Sequence, residues 1–129
     1  MMQEEINALT ERIIGAAIRV RKELGLGYLE KVYENAMCVQ LREDGIEVAQ
    51  QQGLIIRYHG QVVGEYVADL VVAKSIIVEL KAARAMEPVF VAQAINYLRA
   101  ANLGVALVMN FEPEKFEFKR IVGPAFQVF

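Results

Sequence analysis

The stretch Val67-Ala68-Asp69-Leu70-Val71-Val72-Ala73-Lys74-Ser75-Ile76-Ile77-Val78-Glu79-Leu80-Lys81 carries two β-branched runs, Asp69–Val72 and Ile76–Leu80, joined by Ala73-Lys74-Ser75. Runs of this kind around a three-residue link predict a β-hairpin. With Lys74 at the tip, Asp69 falls opposite Glu79. Alternation along a strand places Glu79 and Lys81 on one face, and Asp69 joins them there. Directly opposed residues hold their Cβ atoms about 4.5–5.5 Å apart. Two carboxylates at about 5 Å repel by roughly 3 kcal/mol at an effective dielectric of 20. Strands otherwise filled with Val, Ile and Leu have no structural need of such a pair. A divalent cation gives a reason for it, because Mg²⁺ takes one or two carboxylates together with water and substrate phosphate. Lys81 then stands where a charge stabiliser or water-orienting group belongs.

The whole chain has 129 residues, which predicts one domain over 1–129 with a real core. Hydrophobic residues are 55% and charged residues 23%, yet no apolar run reaches the about 18 residues of a membrane span. The start, Met-Met-Gln-Glu-Glu, is acidic and has no apolar signal core behind it, so secretion is not expected. Cys38 is the single cysteine, which excludes an intramolecular disulfide and suits a reducing cytoplasm; on a helix it reads as a small core thiol. A net charge of −2 argues against a DNA coat with a strongly basic surface, and leaves room for a local basic patch. With one histidine and one cysteine there is neither a tetrahedral zinc site nor a Ser-His-Asp triad. Hydrolytic chemistry in this chain must therefore run on carboxylates and lysine.

Outward from the hairpin, the pattern predicts a mixed α/β (α+β) chain. Residues 4–24 form an amphipathic helix with Ile6, Leu9, Ile13, Ala16, Ala17, Val20 and Leu24 at spacings of three and four, ended by Gly25-Leu26-Gly27. Its Arg12, Arg19 and Lys22 lie off the apolar stripe and read as a solvated face. A second helix runs from about Leu29 to Glu43, burying Leu29, Val32, Tyr33, Ala36, Met37 and Leu41, with Glu30 half-buried at the border of that stripe. Glu30 there either needs a partner or serves the positive end of the helix dipole. A short edge strand over Ile46–Ala49 and strands over Gly53–Tyr58 and Gln61–Val72 follow, the last two flanking the exposed turn His59-Gly60. Pro88 opens a helix that reaches about Asn102. Gln93 and Tyr97 share one face of it. Val105–Asn110 then pairs parallel to Ile76–Leu80, as a strand-helix-strand crossover requires. Glu112-Pro113-Glu114 turns into a last edge strand from Phe116 to Ile121, and the tail over 123–129, with two Phe, docks on the domain or on a second copy.

These residues resemble the small GxxExxY proteins, a bacterial and archaeal family of the PD-(D/E)xK nuclease-like superfamily. The naming motif stands as Gly27-Tyr28-Leu29-Glu30-Lys31-Val32-Tyr33, and the split superfamily motif as Asp69 with Glu79-Leu80-Lys81. Gln93 and Tyr97 are similar to the QxxxY element of RecB-like exonucleases. Ala68 replaces the nominal Pro, and Arg21 stands where relatives often carry His.

The resemblance implies a restriction-endonuclease-like αβββαβ core, a mixed central sheet flanked by helices, with an extra N-terminal helix. It implies that Asp69, Glu79 and the Leu80 carbonyl hold Mg²⁺ or Mn²⁺ and that Lys81 positions the attacking water. Glu30 would hold water beside the ion, and Gln93 and Tyr97 would orient the site or the nucleic-acid backbone. The expected function is a cytoplasmic, divalent-metal-dependent nuclease acting on DNA, with a homodimer compatible with so small a domain. The alternative is a non-catalytic module that keeps the nuclease-like fold and binds nucleic acid or protein. A third reading, a structural domain with a fortuitous hairpin, leaves the paired acids unexplained.

Overall fold

The computed structural model describes residues 2–112 and 114–126. Helix α1 spans Gln3–Leu24 and α2 spans Glu30–Glu43; strands β1 (Val48–Tyr58), β2 (Gln61–Val72) and β3 (Ile76–Lys81) follow. Helix α3 (Pro88–Ala101) crosses to β4 (Val105–Asn110), then β5 (Glu117–Val122) and a 3₁₀ turn at Pro124–Phe126. The five strands order as β1-β2-β3-β4-β5. Only β3 and β4 run parallel, in the register Ile76↔Val105 to Lys81↔Asn110, and the other neighbours are antiparallel. This is the mixed sheet and element order that the periodicities predict.

Two apolar layers cover the sheet. On one face Ile76, Val78 and Leu80 of β3 pack with Ile13, Ala17, Tyr33, Met37 and Leu41 of α1 and α2. On the other, Ile77, Ala106 and Val108 pack with Ala94, Tyr97 and Leu98 of α3. Strand β3 is buried on both sides, as a strand of a parallel pair between helical layers should be. The lone thiol of Cys38 is buried in the α1–α2 layer, and burial pushes its pKa up.

The hairpin between β2 and β3 has the expected three-residue link. Val72 pairs with Ile76, Ala73 and Lys74 adopt φ of 51° and 56°, and the Ser75 N–H donates to the Val72 carbonyl at 2.9 Å. His59 sits exposed in the β1–β2 turn with φ 49°. The short edge strand and the following strand are, however, one continuous β1. Gln51, with φ 53°, bends the chain between them while Gln50↔Leu70 and Gln52↔Ala68 keep the pairing on either side. A run of three glutamines has no apolar alternation and so reads as a loop.

The buried stripe of α2 also differs from expectation. Leu29 is the N-cap residue, 79% exposed, and Val32 is exposed, whereas Glu34 and Cys38 are buried. The stripe is turned because Tyr33 anchors the helix start: its hydroxyl donates to the Gly25 carbonyl at 2.7 Å and its ring stacks on Phe111 at 4.6 Å. Leu24, expected in the α1 stripe, is likewise exposed at the helix end. Pro113 of the expected turn and 127–129 of the tail lie outside the described residues. Among the described residues no helix is long and apolar enough to cross a membrane.

The chain beyond β3 is held by Asn110, which is fully buried. Its side chain accepts from the Ala83 N–H at 3.0 Å and the Glu112 N–H at 3.3 Å, and donates to the Ala83 carbonyl at 2.9 Å. Asn110→Ala leaves these backbone groups without partners and is expected to cost about 2–3 kcal/mol in urea unfolding. Amide exchange should quicken at Ala83; unchanged protection there would show that the clamp does not hold the loop.

Candidate active site

The pairing of β2 with β3 ends at Leu70↔Val78. At the next position, where Asp69 faces Glu79, side chains replace the main-chain ladder. Glu79 Oε2 accepts the Asp69 N–H at 2.7 Å, and Asp69 Oδ2 accepts the Leu80 N–H at 2.9 Å. Each acid thus takes the amide that a neighbouring carbonyl would otherwise have taken. Strand β2 also switches faces here. Ala68 packs in the α3 layer while Leu70 and Val72 pack in the α1–α2 layer, although simple alternation would put all three together. The matching bend in β1 is at Gln51.

The acids therefore meet as expected, but through a kink and a carboxylate–amide exchange rather than through plain alternation. The expectation that nothing in the fold offsets their repulsion is corrected, since each receives one amide hydrogen bond. Neither forms an ion pair with a lysine or arginine among the described residues. Asp69 Oδ1 and Glu79 Oε1 have no hydrogen-bond partner among them.

Burial raises both carboxyl pKa values. Glu79 is only 3% exposed. Burial, then the charge of Asp69, pushes it up to about 8 from 4.5, and the Asp69 amide and Lys81 pull back less. Asp69 is half-buried; burial raises it, and the Leu80 amide acts in the opposite direction. Two nearby acids in a dry place hold on to a proton at neutral pH.

The remaining expected residues lie around this pair at differing depths. Lys81 Nζ is 3.4 Å from Gln93 Oε1 and 4.9 Å from the centroid of the Phe90 ring, so α3 holds the lysine from both sides. Tyr97 is 6% exposed on the same helix. Its hydroxyl pKa is raised by burial and then by the charges of Glu79 and Asp69. Glu30 is exposed rather than half-buried, because it stands at the first position of α2, before the helix dips into the core. It nonetheless reaches the end of β3, where its Oε2 accepts the Ala82 N–H at 3.3 Å. Leu80 is 1% exposed. Its N–H points toward β2, and in a strand the carbonyl of the same residue points to the same side.

Sequence reasoning missed Glu34. This buried acid of α2 accepts from Lys31 at 2.9 Å, from Gln50 at 2.5 Å and from Gln51 at 2.9 Å. It binds the Gln51 bend, the counterpart of Asp69, to α2, and its charge helps to raise the Asp69 and Glu79 pKa values. The clue was its place one residue after Tyr33, inside the stripe that the motif tyrosine anchors. A cavity of about 490 Å³ between β1 and the end of α3 holds neither of the paired acids; among the described residues Glu47 and Lys74 are its charged lining.

A β-hairpin ending in paired acids, followed by a lysine and a crossover helix on a mixed sheet, defines a nuclease-like α/β fold. The family model of the PD-(D/E)XK nuclease superfamily matches residues 7–121, and the chain belongs to that superfamily. Among solved structures it is similar to the crystal structure of SSO0001, with a TM-score of 0.57 and 16% sequence identity over 73% of this chain. The match takes in 50% of the SSO0001 chain, and at this identity it establishes the restriction-endonuclease-like fold alone. A search of curated proteins found no match.

The raised Glu79 pKa has a sign that stability must follow. The folded state binds a proton more tightly than the unfolded one between pH about 4.5 and 8. Metal-free stability should therefore fall as pH rises through that window, by on the order of a few kcal/mol. Glu79→Gln keeps an oxygen for the Asp69 amide and removes the charge. In EDTA it should melt at or above the wild-type temperature at pH 8 and match it near pH 5. A clear loss at pH 8 would show that the ionised acid is held by more than one amide.

Proposed function

We propose that this chain is a member of the GxxExxY branch of its superfamily and a divalent-metal-dependent nuclease that hydrolyses phosphodiester bonds in DNA. The carrying observation is the Asp69–Glu79 exchange at the end of the hairpin, which brings two acids together and leaves one oxygen of each unbonded among the described residues. Nucleases of this superfamily generally use divalent metals. Among the described residues no group of three or more His, Cys, Asp or Glu is placed to hold a metal. The donor set is instead two carboxylates and the Leu80 carbonyl. That sparse set of hard oxygens fits Mg²⁺ or Mn²⁺, since Mg²⁺ keeps several waters and takes substrate phosphate as well. Bound there, the cation supplies Lewis-acid polarisation of the phosphate and lowers the pKa of water.

The side chains of the chain divide the remaining work. Lys81, steadied by Gln93 and resting on the Phe90 ring, orients water and offsets the negative charge that develops on phosphorus oxygens. Glu30, at the mouth of the site, orders solvent beside the Ala82 amide. Tyr97 closes the α3 side of the acid pair against bulk water. The lone Cys38, buried and free, agrees with work in a reducing cytoplasm. Gly27 and Tyr33 of the motif act structurally, fixing the α1–α2 loop so that Glu30 starts its helix beside β3.

Plasmid, linear duplex and single-stranded DNA should each be incubated with Mg²⁺, Mn²⁺ or EDTA. Cleavage that needs metal is expected to drop by about 10² or more in Lys81→Ala. Asp69→Asn should abolish it. Activity persisting in Lys81→Ala would mark a contaminating nuclease and remove this assignment. A second measurement tests the ion by itself. Mn²⁺ should raise the melting temperature more at pH 8 than at pH 6, because binding displaces the shared proton. Asp69→Asn should lose this rise. A rise without cleavage in any condition would leave a metal-binding module in place of an enzyme.

A further inference from the structure

On the α3 side of the sheet, a second cavity of about 390 Å³ opens between the far end of the β1–β2 hairpin and α3. Arg57 and Arg99, Asn96, Tyr66 and Ile56 line it, and among the described residues no acid does. Neither arginine side chain has a hydrogen bond or ion pair among the described residues. In a chain of net charge −2, two guanidinium groups without a partner among the described residues concentrate positive charge at one cavity. The β1–β2 register shifts between Ile56 and Arg57, a bulge that re-aims the arginine.

A ring contact leads from this cavity toward the acid pair. Tyr66 lines it, and the Tyr66 ring lies 5.2 Å from that of Tyr97, whose hydroxyl feels the charges of Glu79 and Asp69. Along α3, Gln93 touches Lys81, and Asn96 and Arg99 follow one and two turns later. Six residues of helix from Gln93 to Arg99 span about 9 Å.

We propose that the Arg57–Arg99 cavity is a phosphodiester-binding subsite that takes the backbone of a single DNA strand whose scissile bond lies at the acid pair. The inference rests on the nuclease reading of that pair and gives it a substrate class. Tyr66, 41% exposed, offers its ring to an unpaired base, which a stacked duplex cannot supply.

Binding of fluorescein-labelled oligo(dT) by anisotropy in EDTA tests this without any turnover. Arg57→Ala/Arg99→Ala should weaken binding about tenfold and lower the salt slope between about 50 and 200 mM by about 1.4, or 0.7 per lost phosphate contact. Arg19→Ala/Lys22→Ala removes two cations from α1 and should leave both quantities unchanged. Tyr66→Ala should weaken binding about tenfold with the slope intact, since stacking releases no counterions. Unlabelled duplex should compete poorly. Equal losses in the two double variants, an unaltered slope in Arg57→Ala/Arg99→Ala, or duplex competing as well as oligo(dT) would each overturn the subsite. The two readings fail separately. Normal binding with no metal-dependent cleavage removes the hydrolytic role and keeps the subsite; cleavage with binding indifferent to both arginines does the reverse.

Discussion

The structure turns on an exchange of hydrogen bonds at the end of the central hairpin. Main-chain amides and carbonyls pair β2 with β3 up to Leu70 and Val78, and beyond that the Asp69 and Glu79 carboxylates take the opposite amides. A carboxyl oxygen accepts a backbone N–H as a carbonyl does. The strands can therefore leave ladder geometry without leaving amides bare. The same substitution draws two acids into a place where burial disfavours their charge. Tight geometry and an avid hold on a proton are thus two results of one arrangement.

The neighbouring elements each constrain one side of this point. Glu34 binds the Gln51 bend of β1 to α2, opposite the place where β2 changes face. Asn110, at the end of β4, grips the chain just after Lys81, and the Phe111 N–H donates to the Lys81 carbonyl at 2.9 Å. Tyr33 anchors the loop before α2 and so delivers Glu30 to the Ala82 amide. Polar groups buried with all partners supplied rigidify a core, and here they do so around one strand end. The apolar layers on both faces of β3 supply the stiffness behind it.

The chain belongs to the PD-(D/E)XK nuclease superfamily, and its paired acids sit where the fold places them most firmly. The chain spans half the length of the SSO0001 chain that it resembles in fold. Its charge is also nearly balanced, so any grip on a polyanion must come from where the cations lie rather than from their number. Lys81, Arg57 and Arg99 all border the side of the sheet that α3 covers.

By itself the sequence determined the hairpin, its tip, the pairing position of Asp69 with Glu79, the three helices and the parallel crossover, though not the kink that turns both acids to one side. Each follows from hydrophobic period and turn chemistry, which act over a few residues. That Glu79 and Lys81 share one side of β3, and Gln93 and Tyr97 one face of α3, was legible for the same reason. Tertiary structure alone decided the joining of β1 through Gln51, the rotation of the α2 stripe that buries Glu34 and exposes Leu29, and the emergence of Glu30 at the surface. Those outcomes depend on contacts across 52 residues between Glu30 and Ala82 and 17 between Glu34 and Gln51. At such separations a periodicity cannot say which polar group meets which, because packing of whole layers sets the meeting.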